Sequence, residues 1–560
     1  MRTALTLLGI VLLATIGFSA TIYVPDSYST IQGAINASAN GDTIVVRAGT
    51  YMENIDFLGK NIVVRSESGP QSTTIDGSQS GSVVTFQSGE SAGAILSGLT
   101  ITNGKATAGG GCYCYNASPT IMDNFIRNNT VDTLGGGIGC YLSSPRISGN
   151  TIRANAAEDQ SSYGGGIGCH TNCSPTIENN IIAQNRAEYG GGGIECKESP
   201  DTLISGNLII ANEATSFGGG IQWRSGLTGV ITGNVISQNI ANSSAGIRCE
   251  INSSPTISGN RITDNQAASC GGIFCGGPNS SPVLSGNIVS GNKAQLEGGG
   301  ICCSGSTLTP LIVNNLIVGN EARLGGAGIQ CTLCSMEVIN CIVWDNVTGG
   351  PPEEILVGTL YSSATLAISH SDVKGGKSAC NVHSTSTLIW GQGMIDADPL
   401  FADSATNDFH LTWPSPCRST GDNSAVTEVY DFEGDPRIAG GTVDMGADEF
   451  YYHLYSIGDV LPGSPIDIKV VGAPGSPALL ALGTGIQDPP QSTPHGDLWL
   501  TMPLAKSWQL GAIPYTGILT MSATVPSGWP FGSLHPFQAL VGPWGGVATR
   551  LTNLHVLVVE

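Results

Sequence analysis

The chain has 560 residues, 78 of them glycine, 12% charged side chains and a formal net charge of -21. That length holds two to four ordinary domains or one long repeat array, and the Gly, Asn, Ser and Thr content argues against helical bundles. The negative charge repels phosphate backbones and anionic membrane surfaces, which argues against nucleic acid as a partner and means that any anionic ligand needs a local basic patch.

In chain order, Arg2 is followed by the apolar run ALTLLGIVLLATIGF and the small residues Ser19 and Ala20, the layout of a secretory signal over residues 1–20. The run is short for a membrane span, and no later segment is long and apolar enough. The expectation is an exported chain, secreted or at the cell surface, with no membrane span once mature. Residues 21–41 are read as an N-terminal capping segment. In SYSTIQGAINASANGD, Ser29 with Gln32 forms a capping box, Ile31, Ala34 and Ile35 form an apolar stripe, and Gly41 stops the turn.

From residue 42 to 420 one sentence repeats. Aligned on N-x-I, an asparagine recurs at Asn124, Asn150, Asn180, Asn207, Asn234, Asn260, Asn287, Asn315 and Asn340, in steps of 25 to 30. A second follows five residues later at Asn129, Asn155, Asn185, Asn212, Asn239, Asn265, Asn292 and Asn320. After GGGI a cysteine recurs at Cys140, Cys169, Cys196, Cys249, Cys275, Cys303 and Cys331, with Cys114 ahead of them and Trp223 in one member's place. Such a period is a solenoid signature. The short β-type pieces (GIxC, PTIxxN, NxI) stand between Gly, Asn and Ser-Pro turns, so three short strands per coil, each pairing in parallel with its copy ~4.8 Å away, predict an all-β parallel β-helix. Alternation turns Ile and Cys inward and the residue between them outward. The thiol column then reads as small apolar filler, and the Asn columns as stacked amides in turns that tolerate left-handed backbone. Cys331 and Cys334 resemble half a zinc knuckle with no second half, whereas Cys380 and Cys417, outside the ladder, are the expected disulfide.

Two outward columns flank the ladder, and in them charge gathers over five consecutive coils, about 20 Å of axis: Tyr141, His170, Glu195, Lys197, Gln222, Arg224, Arg248 and Glu250. Three cations in an acidic protein suit an extracellular uronate polysaccharide, with Tyr141 and His170 as stacking platforms and Gln222 and Arg248 as further substrate contacts. β-elimination needs a base, a group that neutralises the carboxylate and a proton donor. Lys197 would be the base, Arg224 the charge stabiliser, and Glu195 and Glu250 ligands to calcium. Ordinary cross-strand pairing of these charges explains the same residues without catalysis. Aspartates are nearly absent from the columns, which disfavours a hydrolase with converging carboxylates.

Both open ends of such a solenoid need lids. Residues 421–455 are assigned as a closing segment and linker, in which Asp431, Glu433 and Asp435 stand at alternate positions that could offer oxygens to calcium; no glutamate closes a twelve-residue loop, so they read as an acidic turn. After Tyr455 the repeat stops, and residues 456–560, with runs such as IDIKVV, ALLALG and GILTMSATV, predict an antiparallel β-sandwich-like module that could attach the protein to a cell surface. TIQGAINASANGDTIVVRAGTYMENI near the start, with DADPLF, DFHL, SPC and DFEGDPRIAGGTVDMGADEF near the end, resembles secreted right-handed β-helices of the pectin-lyase-like superfamily and the closing segment of exported bacterial β-helices. The resemblance implies the fold and export. It does not choose an activity, since that superfamily includes lyases, hydrolases, epimerases and noncatalytic adhesins. Two functions stay open: an exported polysaccharide binder with lyase activity on acidic glycan, or a noncatalytic surface protein whose solenoid is a rigid stalk.

Overall fold

The structure is a computed structural model that describes residues 19–560 apart from 226–227, 452–453, 458–462, 485, 494–495, 501–503, 528–533, 542–549, 553–554 and 559–560. Most of the expected signal therefore lies outside the described residues. The repeat folds as a parallel β-helix. One sheet has 15 strands, from Thr21–Val24 to Thr387–Trp390; two have 13, from Gly49–Met52 to Asp372–Val373 and from Ile55–Asp56 to Cys380–Val382. A fourth, of 10 short strands from Lys105–Ala108 to Val347–Thr348, was not expected: the segment between the second Asn and GGG, read as a turn, pairs with its copies as well. The parallel sheets end at Trp390, not at 420.

The inward column is as the alternation demands. Cys114, Cys140, Cys169, Cys196, Trp223, Cys249, Cys275, Cys303 and Cys331 are successive register partners, all buried. Trp223 fits where its neighbours are cysteine because Gly229 faces it; a Cβ there would stand 2.3 Å from the indole Cη2. All sixteen thiols are free, so the expected Cys380–Cys417 disulfide is corrected. The Cys417 thiol instead donates to Asp372 Oδ2 at 3.2 Å, away from Cys380.

The two Asn ladders are buried chains of amides. Asn207 Nδ2 donates to Ile177 O (2.9 Å), Ser205 O (3.1 Å) and Asn234 Oδ1 (2.9 Å), while its own Oδ1 accepts from Asn180 N and Nδ2. The left-handed positions are the residues just before the ladder members, Asp123, Gly149, Asn179 and Gly206 among them, rather than the ladder Asn as expected. Asn340 also proves one residue out of step: Leu316 pairs with Ile342, so Cys341 takes the ladder place and Asn340 Nδ2 donates to Asp422 O. The second ladder runs on to Asn346 and is closed by Glu354 Oε2, which accepts from Asn346 Nδ2 at 2.7 Å.

The first end carries a helical lid, Ile31–Ala37, with Ile31, Ala34 and Ile35 buried. Its N-cap is Thr30, whose Oγ1 accepts from Gly33 N, and not Ser29; the Gln32 amide is drawn across to Asn36 and Asp56. At the other end comes the closing segment. Together with the stretch 409–417 before it, it packs against the side of the second sheet, where Phe409, Leu411, Cys417, Met445 and Ala447 cover Ile288, Leu316, Val318 and Ile342. In it Asp431 Oδ1 accepts from the backbone of Glu433 and Asp435, both at 2.9 Å, as an acidic turn should. Beyond it, antiparallel strands including Pro465–Val471, Pro477–Leu482 and Ile518–Thr524 build the sandwich-like part around Leu454, Ile468, Leu480 and Phe537. Lys506–Ala512 and Leu534–Val541, unread in the sequence, complete its sheets.

Candidate functional site

The charged columns stand on successive strands Ile138–Tyr141, Ile167–His170, Ile194–Lys197, Ile221–Arg224 and Ile247–Glu250. Register places Tyr141 beside His170, His170 beside Lys197, Lys197 beside Arg224 and Arg224 beside Glu250, and likewise Glu195 beside Gln222 and Gln222 beside Arg248. All eight predicted residues are thus on one side of the solenoid. They are not all on its surface.

The column before each ladder member is covered, contrary to expectation. Gly139, Gly168, Glu195 and Gln222 are buried, because the chain arriving from the fourth sheet folds back over them. Leu134, Tyr163, Gly190 and Phe217 are bridged one to the next above this column; a Cβ at Gly168 would meet Leu134 Cδ1 at 2.4 Å, and one at Gly190 would meet Gln222 Oε1 at 1.6 Å. The GGG turn makes the fold-back: Gly135 has φ +68°, and a side chain there would lie 2.2 Å from Ile138 O. Tyr163, Tyr189 and Phe217 stack edge to face along this cover at 5.1 and 5.3 Å.

Glu195, 0% exposed, therefore faces protein. Its Oε1 accepts from Arg224 Nε at 2.8 Å and lies 3.7 Å from His170 Nε2. The Arg224 guanidinium also lies 4.1 Å over the Tyr163 ring. Burial alone would lower the Arg224 pKa, but the Glu195 carboxylate and Tyr163 outweigh it and hold it above its usual value. Arg248 is likewise occupied: Nη2 donates to Glu250 Oε2 at 2.6 Å, Nη1 to the Ser243 and Ser244 hydroxyls, and the guanidinium is clasped between Phe217 and Phe274 at 4.4 and 4.5 Å. The calcium assignment does not fit this geometry. Glu195 and Glu250 stand in different columns two coils apart, roughly 9.6 Å by strand spacing, each with an oxygen committed to an arginine.

The column after the ladder stays open. Tyr115 is 42% and Tyr141 39% exposed, their rings stacked at 6.3 Å with Tyr113 stacked behind. His170 follows, half-buried, then Lys197 with a side chain 36% exposed and its ammonium 3.5 Å from Glu198, then Arg224 at 16%. The open strip is thus aromatic for three rungs and cationic for the next ones. What sequence reasoning missed is the cover, and its signal was present in the aromatics Tyr163, Tyr189 and Phe217 just ahead of the glycine runs.

No helix among the described residues is long and apolar enough to cross a membrane. No curated protein matches the chain in sequence. Among solved structures, the alginate lyase AlyGC superposes at TM-score 0.44 and 13% identity over 80% of this chain, which spans 60% of the lyase's length. The catalytic domain of an alpha-1,3-glucanase with nigerose gives 0.32 and 14% over 67% of this chain and 68% of that one. The tailspike of an Acinetobacter phage gives 0.24 and 12%, over 92% and 82%. Residues 22–217 and 192–390 match the model of the right handed beta helix region, unbroken from 22 to 390 and well over half of the 560 residues, and the chain belongs to that right-handed β-helix family.

Proposed function

We propose that the chain is an exported polysaccharide-binding β-helix and that an acidic glycan lies along the open strip from Tyr115 through Tyr141, His170 and Lys197 to Arg224. The observation that carries this reading is the unbroken register of aromatic and then cationic side chains on one strand face, exposed at Tyr115 and Tyr141 and partly open from His170 to Arg224. Side chains recurring every ~4.8 Å meet a sugar chain ring by ring, with aromatic faces against pyranose faces and cations against carboxylates. In a chain of net charge -21, a cationic strip is where an anionic polymer finds attraction.

The same strip suits β-elimination as its finer activity. Lys197 and Arg224 are direct neighbours, so a uronate whose carboxylate rests on Arg224 brings its C5 proton to the Lys197 amine. The amine, its ammonium proton first given up to solvent, takes that proton, the C5 electron pair forms the C4–C5 double bond, and the C4–O bond breaks with its oxygen protonated from water. Secretion or display at the cell surface, through the C-terminal module, is the setting in which such a polymer is met.

The test is titration of the full chain with polygalacturonate, alginate and glycosaminoglycans, by calorimetry and by ultraviolet absorbance of the unsaturated uronate. Binding weakened about tenfold or more by Tyr141→Ala and by Lys197→Ala is expected. Binding unchanged in both variants rejects the strip. Binding without absorbance leaves a lectin-like protein, and silence across the panel leaves the rigid stalk.

A further inference from the structure

A second constellation stands about the closing segment, away from the strip. His410, on strand Asp408–Leu411, is buried among carboxylates. Its Nδ1 is 2.5 Å from Asp408 Oδ1 and its Nε2 2.7 Å from Glu433 Oε2. His410, Glu433 and Asp448 each present one ligand atom, all within 4.8 Å of one another. Asp408 is fixed on its far side by Lys469 Nζ at 2.5 Å and by the Tyr455 hydroxyl at 3.0 Å, both from the start of the C-terminal module. Asp448 Oδ2 accepts from Leu411 N at 2.8 Å.

From this geometry we infer a divalent metal site in which His410 Nε2, Glu433 and Asp448 hold a zinc-class ion at the junction between closing segment and C-terminal module. The argument has three parts. First, ligands ~2.1 Å from a common ion lie within about 4.2 Å of each other, so the observed spread needs only small side-chain adjustment. Second, the Asp408 carboxylate on Nδ1 fixes the tautomer and aims Nε2 at the two acids, the arrangement by which proteins orient metal-bound imidazoles. Third, His410 and Asp448 are buried and Glu433 is only partly exposed, so the three donor atoms converge out of bulk water. An ion seated there takes the place of the proton between His410 Nε2 and Glu433 Oε2, and that proton goes to solvent. One imidazole with two carboxylates selects zinc over calcium, which takes oxygen ligands. The ion would pin strand Asp408–Leu411 to the closing segment and is independent of the strip.

The test uses the full chain, stripped with chelator and reloaded with zinc, and with cobalt as a spectroscopic stand-in. One ion per chain is expected, with an X-ray absorption shell of nitrogen and oxygen. His410→Gln and Asp448→Asn should each lower affinity more than tenfold, and Asp408→Asn about 10- to 100-fold, while Tyr141→Ala leaves it unchanged. Zinc should raise the thermal midpoint of the wild type and not that of His410→Gln. Far-UV circular dichroism establishes that each variant is folded. A folded apo chain that takes up no stoichiometric zinc at micromolar concentration overturns the inference. So does a sulfur shell, which would place the ion on the thiol column, and so does stoichiometric binding that survives His410→Gln and Asp448→Asn together.

Discussion

Replacing Arg224 with methionine separates a structural ion pair from a ligand contact. Glu195 is 0% exposed and its Oε1 meets Arg224 Nε at 2.8 Å; the arginine side chain is 16% exposed. Removing one partner of a buried pair costs about 3–5 kcal/mol, because the other charge is stranded. Partial access of water at the arginine puts this pair near the low end, about 3 kcal/mol. Removing both charges, in Glu195→Gln with Arg224→Met, takes away the stranded carboxylate, and such replacements by groups of similar volume come out close to neutral, within about 1 kcal/mol. Glu195→Gln alone leaves an arginine that water reaches and should cost about 1 kcal/mol, so a double-mutant cycle over both singles and the double should return a coupling of roughly 3 kcal/mol. The assay is urea unfolding followed by far-UV circular dichroism with linear extrapolation. Lys197→Ala, whose ammonium meets the exposed Glu198, is the control and should stay within about 0.5 kcal/mol. If Arg224→Met costs less than about 1 kcal/mol, or if the double variant is no more stable than the single, Glu195 is not held as a buried anion and the account of this coil is refuted.

The remaining expectations follow from single features. Asn207→Ala removes the acceptor of the buried Asn180 N–H and one partner of the Asn180 amide, so it should destabilise by about 2–4 kcal/mol, measured in the same urea experiment; a cost below 1 kcal/mol would show the ladder to be dispensable. Burial lifts Glu354 from 4.5 to about 7, against hydrogen bonds from Asn346 that lower it. Its folded pKa is therefore above its unfolded one, the contribution is full below about pH 4.5 and is lost as pH rises toward 7, and at ~1.4 kcal/mol per pH unit the loss is about 3 kcal/mol. Glu354→Gln should then flatten stability between pH 5 and 8, and an unchanged slope would contradict the assignment. Thiol titration of the native chain should label Cys380 first and leave the fifteen buried cysteines protected until denaturant is added; fewer than sixteen reactive thiols in denaturant without reductant would reveal a disulfide the structure lacks.

The repeat was legible because a solenoid writes its register into its spacing: residues that stack must recur, and Ile, Cys and Asn do. Even Trp223 could be placed in the Cys column, although its partner Gly229 is intelligible only once both are seen in contact. Errors arose where a local count stood in for a neighbour. Asn340 satisfied the motif but sits one residue off the rung that Cys341 occupies. Ser29 fitted a capping box, yet Thr30 caps the helix because the Gln32 side chain is held by Asn36 and Asp56. Cys380 and Cys417 were paired by elimination, whereas Cys417 is buried against Asp372 under the closing segment. The His410 cluster was beyond reach of spacing altogether, since its members lie 23 and 15 residues apart in sequence and converge only through the fold of a loop.

The fold-back over the Ile-x-Cys strands also decides where function can reside. Alternation gives each such strand two outward positions, and sequence treats them alike. The segment from the fourth sheet covers the first position, with Leu134, Tyr163, Gly190 and Phe217 bridged in a row, and leaves the second open. Charges at the covered position must be neutralised inside the protein, as Glu195 is by Arg224 and as Arg248 is by Glu250. Charges at the open position keep a face toward solvent. Variation at Tyr141, His170 and Lys197 can therefore alter what is bound with little effect on folding, whereas variation at Glu195, Gln222 or Arg248 must first satisfy the interior.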